Sequence, residues 1–346
     1  MTRKTIPMKS ESFFPNITKP NNNTKSGFFM KKIVTSLFIV TLLAFTLNAQ
    51  NQYSASTSTD TYTALVGGSV FTWTETTAND EGYTSATNIG FTFNYNGTAF
   101  TQFQASTNGF IRLGTGLAAA TPADALAGLL RSIIAPLWDD LAVNSTASDI
   151  TYQLSGVSPN QVLTIEWKNM KWTKTATLLS EFQVKLYEVD NHIEFIYGAL
   201  NPNASASASI GLSDNTSITT TGSATGKFLS LNVGGIATAR KYHQSMGYAF
   251  NGITAAPDAN TLITFTRVAT PTPISGNTYT IGGSSPTYNT LSEAAMALNL
   301  NGINGAIVLD VRSGTYDDIF HLIEVTGTSA TNTITIKKES GIVTIS

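Results

Sequence analysis

The 346-residue chain contains no cysteine. Disulfides, thiolate metal sites and cysteine nucleophiles are therefore all excluded. Histidine occurs only three times, and charged residues make up only 12% of the chain. Little remains of the Glu, Lys and Arg that favour helices. Long apolar runs are scarce as well: the longest, Ile33–Leu47, is 15 residues, short of the ~20 that a membrane helix needs. Basic residues form no run, so a phosphate-binding patch, and with it nucleic acid as a partner, is not expected.

What is present is a 42% hydrophobic complement, enough to bury a core, with Thr, Ser, Asn and Gly supplying most of the polarity. That is a strand-rich, turn-rich profile, and the length suits about two domains. Met30-Lys31-Lys32, the apolar run and Asn48-Ala49 together read as a secretory signal peptide over residues 30–49. Residues 1–29, polar and unpatterned, read as an unstructured extension or a misassigned start. Without residues 1–49 the chain keeps 13 basic and 21 acidic residues, a formal net charge of −8, and no stable membrane span. The expected location is extracellular or on the outer cell surface.

Residues 50–268 read as one strand after another. Asn96-Gly97 and Asn108-Gly109 each sit between alternating apolar residues, a strong hairpin signal because Asn-Gly tolerates φ > 0. Phe182, Val184 and Leu186 share one face, as do Ile193, Phe195 and Tyr197, with a turn at Asp190-Asn191. A short helix is expected around Ala123–Ser132. So many short strands with one apolar face each argue for an antiparallel β-sandwich of two sheets.

Residues 269–276 (ATPTPISG) read as a linker. Beyond it, Leu291–Leu300 is the clearest helix, with Thr290 as N-cap and Glu293 three residues on. Strand candidates begin at Asn277, Ala306 and Thr333, a solenoid-like step, and Ile342–Ser346 follows too soon to be a further coil. Residues 277–346 are thus expected to form an incomplete domain with one capping helix.

No catalytic residue and no cofactor is implied. The adjacent carboxylates Asp139 and Asp140, in IIAPLWDDL, are read as a strand end whose carboxylate accepts backbone N–H bonds, with calcium the rival. His192 and Glu194 form H-x-E in a strand just past a turn, with no further ligand near in sequence. Trp167 and Trp172, among Lys168, Lys171 and Lys174, are the glycan-binding candidates, since exposed indoles stack on sugar rings. Trp167 is in phase with Leu163 and Ile165, which favours core packing. Trp172 lies past the strand, and both readings stand for it.

IGFTFNYNGTAF, STNGFIRLG, IIAPLWDDL, VLTIEWKNMKW, FQVKLYEVDNHIEFIYG and SIGLSD, in that order, resemble the nidogen-like β-sandwich modules of secreted surface proteins in Bacteroidota. The resemblance implies a non-catalytic extracellular part. Thr278–Asp318, with Val311-Arg312-Ser313-Gly314-Thr315-Tyr316, looks like the opening of a right-handed parallel β-helix of the pectin-lyase-like kind. The fold expectation is therefore all-β: a sandwich followed by the truncated start of a parallel β-helix. Two function readings follow. The first is a secreted or cell-surface structural and binding protein, acting in adhesion or on a polysaccharide, surface glycan or protein. The second is the N-terminal part of a polysaccharide-degrading lyase or hydrolase with its active site beyond the C-terminus.

Overall fold

The computed structural model describes residues 52–74, 80–118, 126, 128–144, 149–173, 176–202, 207–215, 227–232, 241–246 (backbone only), 253, 256–316 and 319–345. The extension and export signal expected over 1–29 and 30–49 lie outside these residues. Along the chain the strands are β1 (Tyr53–Thr59), β2 (Ser69–Val70), β3 (Thr87–Tyr95), β4 (Thr98–Ser106), β5 (Phe110–Leu113), β6 (Ile133–Trp138), β7 (Leu141–Val143) and β8 (Ile150–Ser155). They continue as β9 (Val162–Trp172), β10 (Leu179–Tyr187), β11 (Ile193–Tyr197), β12 (Ser209–Ser213), β13 (Lys227–Asn232), β14 (Lys241–Met246) and β15 (Thr261–Arg267).

These strands form two antiparallel sheets. One runs β1-β15-β11-β10-β9-β8-β2, with β7 also paired to β9; the other runs β14-β13-β12-β6-β5-β4-β3. Alternation explains the layer between them. Phe182, Val184 and Leu186 lie opposite Tyr197, Phe195 and Ile193, all fully buried, because residues two apart on a strand share a face. Trp167 stacks on Phe182 with ring centroids 5.2 Å apart and an interplanar angle of 12°. From the other sheet Phe93, Phe103, Ile111, Ile134 and Leu212 join the same core. At Asn96-Gly97 both residues take positive φ, 47° and 81°, as a tight β3–β4 turn requires.

Two outer faces are covered, which alternation alone does not predict. On β6 every residue is buried: Ile133, Ala135 and Trp138 pack outward against Phe110, Leu117, Leu126 and Phe228. The helix expected at Ala123–Ser132 is absent from its described residues, 126 and 128–132, which form turns and bends. They cover the β6 face instead. Leu126 is fully buried, Ser132 sits at φ 59°, and the Arg131 guanidinium is anchored to the Asp214 carboxylate and the Lys227 carbonyl. On β9 the outward Glu166 is only 2% exposed. Its carboxylate accepts from the Tyr62 hydroxyl (2.7 Å), the Leu65 amide (3.0 Å) and Gln183 Nε2 (2.8 Å), so the segment after β1 straps this face.

The C-terminal region pairs its strands in parallel. β16 (Asn277–Ile281), β17 (Ile307–Val311) and β19 (Ile334–Lys338) form one sheet, and β18 (Gly314–Tyr316) pairs with β20 (Val343–Ile345). Asn277, Ile307 and Ile334 stand side by side, as do Ile281, Val311 and Lys338. The helix α1 spans Leu291–Asn301, with Thr290 Oγ1 accepting the Glu293 amide at 3.0 Å. Glu293 reaches back to the amide of Asn289 at 2.7 Å, one residue before the cap. Gly302 at φ 69° ends the helix, its N–H bonded to the Leu298 carbonyl. Ile281, Leu291, Leu298, Leu309 and Val311 share a separate core, while Met296 joins the sandwich core. In the segment read as a linker, Ile274 already bridges to Ile303. The buried Tyr316 hydroxyl lies 3.0 Å from the Ile281 carbonyl and 2.9 Å from that of Arg312, tying the β17–β18 corner to the first rung.

Candidate functional site

The Trp138-Asp139-Asp140 corner is where the chain leaves one sheet and enters the other. β6 ends at Trp138 in the seven-stranded sheet, and β7 begins at Leu141 in the sheet that holds β9. Asp139 and Asp140 form the bend between them, so strand alternation does not run through the pair. A chain crossing between sheets strips its corner of ladder partners, and those groups must be bonded otherwise.

Asp139 supplies the bonds. Its Oδ1 accepts the Asp140 amide at 2.8 Å, and its Oδ2 accepts Trp172 Nε1 at 2.7 Å and the Ser207 amide at 2.9 Å. Asn108 Oδ1 accepts the Leu141 amide at 3.0 Å, and the Asp140 carbonyl accepts the Thr173 amide at 3.1 Å. Burial pushes the Asp139 carboxyl above its ordinary value, against the lowering effect of the Trp172, Asp140 and Ser207 donors. Charge-assisted bonds of this kind are about twice as strong as neutral ones. The carboxylate thus joins the β6–β7 corner to the end of β9 and to the approach to β12.

Both tryptophans proposed for glycan binding are inside. Trp167 is 0% exposed and donates Nε1 to the Ser106 carbonyl at 2.8 Å, while Trp172 is 1% exposed and donates to Asp139. Trp172 belongs to β9 rather than lying past it, because β9 runs on to pair with β7. Neither indole can lie flat against a sugar in this fold: Trp167 packs in the core, as its phase with Leu163 and Ile165 favours, and of the two readings open for Trp172 the buried one is found.

Asp140 points its chemistry elsewhere. One ligand oxygen from each of Asp80, Glu81 and Asp140 lies within 4.8 Å of the others, the one such acidic group among the described residues, and Asp139 is not part of it. Glu81 Oε2 already accepts Asn108 Nδ2 at 3.2 Å, and the Thr107 hydroxyl bonds the Asp80 carbonyl. Calcium takes six to eight oxygens; three carboxylates are a partial donor set. The calcium expectation for Asp139 and Asp140 as a pair is corrected to this extent: the two carboxylates serve different neighbours. Asp80 and Glu81, which carry no spacing signal toward Asp140, escaped sequence reasoning.

His192 and Glu194 do come together, with Nε2 3.7 Å from Oε1, and Asp190 Oδ1 lies 2.5 Å from Nδ1. The imidazole stacks on Tyr187, ring centroids 3.8 Å apart. Burial works to lower the His192 pKa, but the Glu194 and Asp190 hydrogen bonds and charges outweigh it, so the net shift is upward. The next residue of that turn links the sheets: the Asn191 carbonyl accepts the Tyr53 hydroxyl (2.9 Å) and its Oδ1 accepts the Asn94 amide (2.6 Å). His243 has no described side chain.

Among the described residues, no helix is long and apolar enough to cross a membrane. No curated protein and no solved structure matches the chain. A family model described as NIDO related matches residues 52–267, the run from the first strand of the sandwich to its last.

Proposed function

The chain belongs to the NIDO-related family, and from that premise we propose that it works outside the cell as a non-catalytic structural and binding module. The family match over residues 52–267 carries this reading. The export signal read at residues 30–49 supports the location. The chemistry-bearing side chains of the corner support a structural role: Asp139, Trp167 and Trp172 direct their polar groups to partners within the fold. In this reading the sandwich displays or binds, toward a surface glycan, polysaccharide or protein.

The parallel strands after Asn277 are the opening of a right-handed parallel β-helix in the same proposal. Its support is the shared register of β16, β17 and β19, reached in steps of 30 and 27 residues, and of β18 with β20. The full chain, expressed with its N-terminus intact, tests the reading in two ways. N-terminal sequencing of exported protein is expected to find a start near Gln50. Adhesion and glycan-array assays are expected to find a surface or polymer that it holds. Retention in the cytosol, or no binding to any surface, would sink it.

A further inference from the structure

On the side of the sandwich where both sheets end, β2 closes one and β3 the other. The chain passes between them through residues 71–74 and 83–86, held by the Ser85 amide on the Thr72 carbonyl (2.9 Å) and the Thr74 amide on the Tyr83 carbonyl (2.9 Å). In this corner lies an open groove of about 310 Å³, at the small end of the ~300–1,000 Å³ usual for ligand sites. Phe71 and Tyr152 provide its aromatic part, ring centroids 4.7 Å apart and tilted 31°, with Phe71 buried and Tyr152 half-buried. Thr72, Ser85, Thr87 and Asn88 give it short polar side chains, and Val70 and Ala86 complete the lining. No charged residue lines it.

We propose that this groove binds a neutral oligosaccharide, which rests on the extracellular binding role proposed above and gives it a location. A pyranose offers an apolar ring face for an aromatic surface and a rim of hydroxyls for short polar side chains. The groove offers the exposed part of the Tyr152 ring, backed by Phe71, for the first and Thr72, Ser85, Thr87 and Asn88 for the second. Its polar groups are also available: Gln102 Nε2 bonds the Asn88 side-chain oxygen at 3.2 Å, leaving the Asn88 amide nitrogen. The hydroxyls of Thr72, Ser85 and Tyr152 make no hydrogen bond to another described residue.

Two rival ligands fit less well. The lack of lining cations gives an acidic polymer nothing to pair with. An extended peptide adding itself as a strand needs a continuous edge. β2 has only two residues, and the β3–β4 register shifts between Asn88 and Phe93, with Gly90 at φ 99°. That edge is broken within a few residues.

The test is calorimetric titration of the full chain with cellohexaose, xylohexaose, mannohexaose and maltohexaose, with hexagalacturonate as the acidic control. At least one neutral hexasaccharide is expected to bind, and hexagalacturonate is not. Tyr152→Ala should weaken binding at least tenfold. Because that ring also packs on Phe103, Asn88→Ala and Ala86→Arg, both at exposed positions, repeat the test with little risk to folding. Each should weaken binding while leaving the tryptophan-monitored melting curve in place. Neutral binding that survives all three substitutions would overturn the groove and leave the binding role standing. No neutral binding, with adhesion to some other surface, would also overturn the groove alone. No binding to any saccharide or surface would remove both.

Discussion

Replacing Asp139 by alanine removes the acceptor for three N–H groups at once: Asp140, Ser207 and the Trp172 indole. Trp172 is 1% exposed, so its Nε1 loses a partner where water has poor access. A hydrogen bond to a charged group contributes about 1.5–3 kcal/mol net, and an orphaned buried donor costs about 1–3 kcal/mol. Burial of the carboxylate offsets part of the gain, as its raised pKa shows. The expected loss is therefore nearer about 3 kcal/mol than the sum of the bonds. For a sandwich of this size that corresponds to a Tm lower by about 6–12 °C. The four tryptophans, Trp73, Trp138, Trp167 and Trp172, all lie in the sandwich, so their fluorescence in urea reports its unfolding. Asp139→Asn, which keeps one carbonyl acceptor, should lose about half as much. The deficit should be the same with millimolar calcium and with a chelator. A variant within about 0.5 kcal/mol of the parent, the range of an ordinary surface substitution, or a deficit that appears only with calcium, would refute the reasoning.

Two glycines should differ sharply in cost although both follow asparagine. Gly97→Ala, at φ 81° with nothing within 4 Å of the added carbon, should cost about 1–2 kcal/mol. Gly109→Ala would place that carbon 2.0 Å from the Leu137 carbonyl oxygen and should exceed about 4 kcal/mol or prevent folding; urea midpoints compare them. Because the folded-state pKa of His192 is raised, its contribution is fully present below its unfolded value near ~6.5 and is lost as pH rises through the folded value. His192→Gln should flatten that part of the stability–pH curve, and an unchanged slope would refute it. Arg131, whose pKa burial lowers to about 10, pairs with fully buried Asp214 and lies over Phe228 at 4.5 Å. Arg131→Met should cost about 3–5 kcal/mol, with most of it recovered when Asp214→Leu is added; a double-mutant cycle measures both.

Where one face of a strand meets the core, period-two alternation identifies it: Ile193 to Tyr197 matches β11 end to end, and Phe182 to Leu186 falls within β10, which starts at Leu179 and ends at Tyr187. The parallel starts, read at 277, 306 and 333 and found at 277, 307 and 334, are equally readable, because each rung centres on one position, Tyr279, Leu309 and Ile336, that is apolar in all three. Alternation fails where both faces are covered. Glu166 looks like an exposed strand residue until the Tyr62 segment closes over it. The apolar run before Ser132 looks helical because its composition cannot show that a sheet face awaits it. The site suffers from the same limit. Asp139 and Trp172 are 33 residues apart, as are Asn108 and Leu141, and only the crossing of β6 and β7 between sheets brings them together.

The pairing of β1 with β15 has a mechanical consequence. Tyr53 stands opposite Arg267, and the Val268 amide bonds the Gln52 carbonyl at 2.7 Å, so the sandwich's two chain ends leave from the same end of one ladder. Tension applied through those ends does not shear seven rungs together; it peels them singly, starting with the outermost. After Thr59 the peeled strand leads directly to Tyr62 and Leu65, which would lift from Glu166. Whatever force reaches those two ends would thus be relieved first at this edge of the fold, in small steps, and its sign would be a carboxylate newly exposed to water.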